Sequence, residues 1–119
     1  MSKFSHQDSF LLRGVFGMGS RLDLQTLLEE VLGSGNVYFQ PPESIKLSYP
    51  CIVYSRFSID KMNANDSLYK KTNGYEVIVI DRDPDSDISD RILEHFSMCR
   101  FDREYTTENL YHNSLTLYY

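Results

Sequence analysis

The sequence predicts a single α+β domain: a mixed, mostly antiparallel β-sheet with two helices packed on one face, in the order α-β-β-β-α-β-β. Three observations lead there. A chain of 119 residues has room for one hydrophobic core. Apolar residues recur at helical spacing in two stretches, Leu24, Leu27, Leu28, Val31 and Ile88, Ile92, Leu93, Phe96. The other apolar runs are strand-like and follow one another with few helices between them, which favours a sheet with helices on one side over a doubly wound parallel sheet. A hydrophobic fraction of 41% and an aromatic fraction of 13% fit a folded chain, not a disordered one.

Residues 1–19 mix Ser, Gly, His and Gln with a short apolar patch, Phe10, Leu11, Leu12, Val15 and Phe16. They are read as an N-terminal arm, either flexible or docked on a neighbouring subunit. The domain proper spans 20–119. Its first helix runs over 20–32, because Ser20 is a good N-cap, the leucine stripe lines one face, and Gly33-Ser34-Gly35-Asn36 supplies the stop. From Val37 the period changes to two, giving a short strand that Pro41-Pro42 ends by removing two backbone donors. After a loop to Pro50, Cys51–Ser58 is a β-branched and aromatic strand with at least one buried face.

The stretch 60–73 turns polar and ends in Asn73-Gly74, a turn signal, so it is expected to be a long projecting hairpin connection. Tyr75–Ile80 is nearly all apolar, which predicts a central strand covered on both faces. Asp81-Arg82-Asp83-Pro84-Asp85-Ser86-Asp87 then leads into a helix over 87–97, with Asp85 to Asp87 placed to cap it. Two closing strands, 99–105 and 110–119, are joined by the turn residues Thr106 to Asn109.

Charge narrows the function classes. Twelve Lys and Arg against seventeen Asp and Glu give a net charge of −5, and a groove that grips nucleic acid needs a cationic face. Cys51 and Cys99 lie far apart in apolar stretches, which argues against a disulfide scaffold or zinc site and for reduced, packed thiols in an intracellular setting. The apolar patch Phe10–Met18 is broken by Arg13, Gly14 and Gly17, so neither a membrane span nor an export signal is expected.

No residue pattern owns a reaction. Asp81, Asp83, Asp85 and Asp87 mimic the opening of a calcium loop, but its sixth position is Ser86 in place of glycine and its twelfth is Ile92 in place of glutamate. A solvated turn and helix cap accounts for them, and no metal or cofactor is expected. A small metal-dependent nuclease using Asp81 and Asp83 at the end of the central strand stays open as the enzyme alternative. His6, His95 and His112 are isolated, and Gly14, Gly17 and Gly19 lack a phosphate-loop lysine. Two features suit interfaces. One is the polar loop with Lys61, Met62, Asn63, Asn65, Asp66, Lys70 and Lys71. The other is a set of C-terminal tyrosines, Tyr105, Tyr111, Tyr118 and Tyr119, whose rings offer apolar area with a polar tip.

Several stretches are similar to the small tail-terminator or tail-completion (neck) proteins of tailed bacteriophages. They are Leu27-Leu28-Glu29-Glu30-Val31-Leu32-Gly33, Asn36-Val37-Tyr38-Phe39-Gln40-Pro41-Pro42, Tyr49-Pro50-Cys51-Ile52-Val53-Tyr54, Tyr75-Glu76-Val77 through Asp81-Arg82-Asp83-Pro84-Asp85-Ser86, Phe101-Asp102-Arg103-Glu104-Tyr105-Thr106 and Asn109-Leu110-Tyr111-His112. The resemblance runs from Ser20 to the C-terminus and leaves the arm uncovered. It implies a virion protein without a catalytic site, located at the head–tail junction and in the host cytoplasm during assembly. Such a protein forms a homohexameric ring that ends tail-tube growth, and its partners are the tail tube protein, a head-completion or neck protein, and genomic DNA passing through the lumen without specific binding. A head-completion or other neck connector is the alternative within this class. In a ring of this kind the acidic loop Asp81, Asp83, Asp85, Asp87 is expected to face the lumen, where repulsion lets phosphates slide past.

Overall fold

The computed structural model describes residues 20–60 and 72–119. The arm 1–19 and the candidate interface loop with Lys61, Met62, Asn63, Asn65, Asp66, Lys70 and Lys71 lie outside the described residues. The chain is an α+β domain with helix α1 (Arg21–Leu32), strands β1 (Val37–Phe39), β2 (Cys51–Asp60) and β3 (Thr72–Asp81), helix α2 (Ile88–His95), and strands β4 (Cys99–Thr107) and β5 (Leu110–Tyr118).

α1 begins and ends where its local chemistry dictates. The Asp23 amide donates to the Ser20 hydroxyl at 3.2 Å and the Ser20 amide donates to the Asp23 carboxylate at 3.3 Å, a reciprocal cap that satisfies amides with no partner inside the helix. Gly33, at φ 89°, takes the left-handed conformation open to glycine and donates its amide to the Glu29 carbonyl at 2.8 Å. Leu24, Leu28, Val31 and Leu32 are buried.

The five strands lie in the order β1-β2-β3-β5-β4, with β1 parallel to β2 and every other pair antiparallel. Side chains alternate across each strand. Ile52 and Tyr54 of β2, Tyr75, Val77 and Val79 of β3, and Leu115 and Leu117 of β5 therefore share one face, where they meet Leu24 and Leu28 of α1, Ile88 and Ile92 of α2, and Phe96. Each such side chain stabilises the fold by roughly 1.5–3 kcal/mol on burial. The Arg91 guanidinium of α2 donates to the Val31 carbonyl at 2.9 Å, serving one of the carbonyls that the end of α1 leaves open.

Four features differ from the sequence expectation. Asn73-Gly74 is not a turn: Asn73 lies opposite Ile59 and Gly74 opposite Ser58, inside the β2–β3 ladder. The amide of each of Asn73 and Tyr119 also donates to the carbonyl of the other, at 3.2 and 3.0 Å, so pairing on both sides overrides the local turn preference. A register shift between Arg56 and Ser58 sits across from this glycine, where a missing side chain accommodates the irregularity. β3 is central, but both helices pack on its Tyr75/Val77/Val79 face; on the other face Ile80 is buried, Ile78 half-buried and Glu76 exposed, so among the described residues that face is covered only toward the Asp81 end. α2 stops at His95 instead of 97, because Phe96 turns to an extended conformation that buries its ring in the core. The β4–β5 connection is a two-residue turn, Glu108-Asn109 at φ 55° and 64°, so pairing reaches Thr107 and Leu110. No helix among the described residues is long and apolar enough to cross a membrane.

Candidate functional site

The acidic segment leaves the end of β3 as an ordered projection. The Asp83 amide donates to the Asp81 carboxylate at 3.1 Å, and the Asp85 amide to the Asp83 carboxylate at 2.9 Å. Side-chain oxygens thus replace a backbone turn twice in succession. The Ser86 amide reaches the Asp83 carbonyl at 3.3 Å, and the Ser86 hydroxyl accepts from the Ile88 amide at 3.3 Å. Ser86 therefore does the capping that the sequence assigned to the aspartates. Asp87 occupies the N-cap position without a side-chain cap bond and instead pairs with Arg91 at 3.2 Å. Asp83, Asp85 and Asp87 are exposed. Asp81 and Asp83 each commit an oxygen to the chain's own backbone, and no group of three or more His, Cys, Asp or Glu among the described residues is arranged to hold a metal ion. The geometry presents carboxylates from a preformed loop.

Strand register brings distant segments to this same end. Cys51 lies opposite Ile80, Ile80 opposite His112, His112 opposite Tyr105, and Asp81 opposite Tyr111. The Asn36 side chain donates to the Pro50 carbonyl at 3.3 Å, and the Arg82 guanidinium stands 5.4 Å from the Tyr49 ring centroid. Tyr105 is stacked on His112, with centroids 4.8 Å apart and planes 15° from parallel, and the Arg103 guanidinium stands 4.9 Å from the Tyr105 ring centroid.

The four candidate interface tyrosines divide between the two ends of the sheet, and all are half-buried. Tyr105 and Tyr111 stand at the acidic end. Tyr118, at the other, sets its ring edge-on to Phe57 at 6.2 Å, and Tyr119 meets Phe96 edge-on at 6.1 Å and packs against the core. Tyr119 thus serves the fold.

Sequence reading missed a cationic cluster on the β1 side of the sheet. The Arg21 guanidinium lies 4.4 Å from the Phe39 ring centroid, and Arg56 lies 5.8 Å from Phe39 and 5.7 Å from Tyr75. Beneath them Phe39, Tyr54 and Tyr75 form an aromatic row, with centroids 5.0 and 5.9 Å apart. Arg21 donates to the Tyr54 hydroxyl at 3.3 Å, which in turn donates to Gln25 at 2.6 Å. Burial pushes the Tyr54 phenol up, and the hydrogen bond and charge of Arg21 act against it. No local pattern signals this cluster, because Arg21 on α1 and Arg56 on β2 reach the Phe39 ring of β1 only through tertiary packing.

On the helix-free face the Thr116 hydroxyl donates to Asp102 at 2.6 Å and Arg100 pairs with the same carboxylate at 3.0 Å. Those contacts, the hydroxyl first, hold the Asp102 carboxyl below its ordinary value. Burial pushes both thiols, Cys51 and Cys99, up to about 11, so neither is a nucleophile near neutral pH. Comparison with protein-family models, curated proteins and solved structures finds no match.

Proposed function

We propose that this protein is a bacteriophage virion subunit that forms a ring at the head-proximal end of the tail, terminates the tail tube and joins it to the head or neck. The observation that carries the reading is spatial. Stretches of the sequence resemblance that are far apart in the chain converge on one end of the molecule: Asn36, Tyr49-Pro50-Cys51, the loop from Asp81, and the tip of the β4–β5 hairpin. Much of the resemblance, including Leu28, Val31, Ile52, Tyr54, Tyr75 and Val77, packs in the core and speaks only of the fold; the parts that meet at this end are the ones that support docking. The projecting, net-negative loop suits a particle through which DNA passes without being gripped.

Two placements of that loop are compatible with a ring: the lumen wall, and the junction with the next subunit. Electron microscopy of the full chain added to growing tail tubes tests the function. The expected result is a ring on one end of each tube and arrest of further growth. Rings found on DNA-filled heads and absent from tubes would assign the neck-connector role instead. Binding to neither would remove the virion reading, and specific divalent-metal uptake with cleavage of DNA would replace it with the nuclease.

A further inference from the structure

We infer that the Arg21–Phe39–Arg56 cluster is the seat for the acidic loop of a second copy of this chain, so that subunits join head to tail. The inference rests on the ring reading and assigns the loop to the junction between neighbours.

The seat has the chemistry of a carboxylate receptor. Two guanidinium groups share one aromatic ring, Arg21 at 4.4 Å and Arg56 at 5.8 Å from the Phe39 centroid. Stacking on an aromatic face fixes a guanidinium plane and leaves its N–H edge free for a planar anion. Arg56 is exposed and Arg21 half-buried, and no ion pair between either one and another described residue is formed. Among the other described arginines, Arg91 pairs with Asp87 and Arg100 with Asp102, while Arg82 and Arg103 each stand alone over a tyrosine ring; Arg21 and Arg56 are the two that share one ring.

The loop has the chemistry of the guest. Asp85 is exposed on a segment already ordered by its own turns, and the exposed Asp87 beside it shares one oxygen with Arg91, so little conformational freedom is lost on docking. Subunits of charge −5 repel one another unless a cationic surface meets an anionic one.

Seat and loop cannot meet within one chain. Arg21 opens α1, whereas the far end of α1 is tied by Arg91 to α2, which directly follows the loop. A helix of 12 residues separates the two by about 18 Å. A contact between different surfaces of identical subunits is heterologous, and it closes into a ring when its rotation permits.

The test uses sedimentation velocity on the full chain and two double variants, with circular dichroism confirming the fold of each. One variant reverses the seat, Arg21→Glu with Arg56→Glu; glutamate in the first turn of a helix suits its dipole, so α1 is retained. The other reverses the loop, Asp85→Lys with Asp87→Lys. The wild-type chain is expected to self-associate, and more weakly as ionic strength rises from about 0.05 to about 0.5 M. Each variant alone should associate at least tenfold more weakly. An equimolar mixture should recover, because every junction then joins a reversed loop to a reversed seat or a native loop to a native seat. A loop variant that forms rings alone overturns the contact and returns the loop to the lumen, leaving the ring reading intact. Variants that weaken association without recovery on mixing also overturn it. A wild-type chain that stays monomeric, both alone and on tail tubes, removes contact and ring reading together.

Discussion

Tyr75 is fully buried between Tyr54 and the Arg56 guanidinium, yet its hydroxyl has no hydrogen-bond partner among the described residues. A desolvated donor left unmade costs more than its removal, so Tyr75→Phe should raise stability by about 1 kcal/mol. A urea midpoint that moves up at unchanged slope is the expected reading; a fall would mean that the hydroxyl is served in solution. Asp102 gives the residue scale a pH dependence. Its folded-state value lies below 3.8, so its contribution to stability is present above that value and is lost as pH falls through the folded one. Thr116→Val removes the largest cause of the shift. The Asp102 carboxyl should then titrate nearer its ordinary value by NMR, and the acid-side loss of stability should shrink. The two thiols act in the opposite direction: with folded values of about 11 against 9.0, the stability they contribute is complete below pH 9.0 and lost as pH rises toward 11.

Among elements, the turn Glu108-Asn109 carries the clearest strain. Asn at φ 64° is at home in the left-handed region, whereas Glu at φ 55° is not. Glu108→Gly should therefore stabilise the hairpin by about 1 kcal/mol, measured as a higher thermal midpoint, provided the gain in native conformational ease exceeds the freedom glycine adds to the unfolded chain. The sheet edges are guarded. β1 is three residues long and ends at Pro41-Pro42, and β4 carries Arg100, Asp102, Arg103 and Glu104 with a register shift between Phe101 and Arg103. Charges and a bulge discourage strand addition, so contact through side chains fits this fold better than an extended sheet. α1 was legible because an N-cap and a terminal glycine act within a few residues of themselves. Asn73-Gly74 was not, because the pairing that overrides its turn preference comes from Ile59 and Tyr119, distant in sequence. The acidic loop was visible as composition, but the use of Asp81 and Asp83 as turn acceptors needed coordinates. The arginine seat left no trace, since α1, β1 and β2 bring its members together by packing that no local pattern encodes.

At the scale of the whole molecule, the acidic loop lies near one end of α1 and the Arg21–Arg56 pair at the other, with Arg82 and Arg103 standing among the groups of the acidic end. The sheet order adds a constraint of another kind. β5 follows every other strand in sequence yet lies between β3 and β4, and it contributes Leu115 and Leu117, both fully buried. A chain stopped at Thr107 should show no cooperative thermal transition, because β3 and β4 lose the strand that joins them and the core loses two leucines. A sharp transition in that shortened chain would show that the first three strands and the helices suffice. Synthesis proceeds from the N-terminus, so the place between β3 and β4 is empty until residues 110–118 have been made. The strand that carries Asp81 at its end therefore gains its second neighbour only when the last residues of the chain have been made.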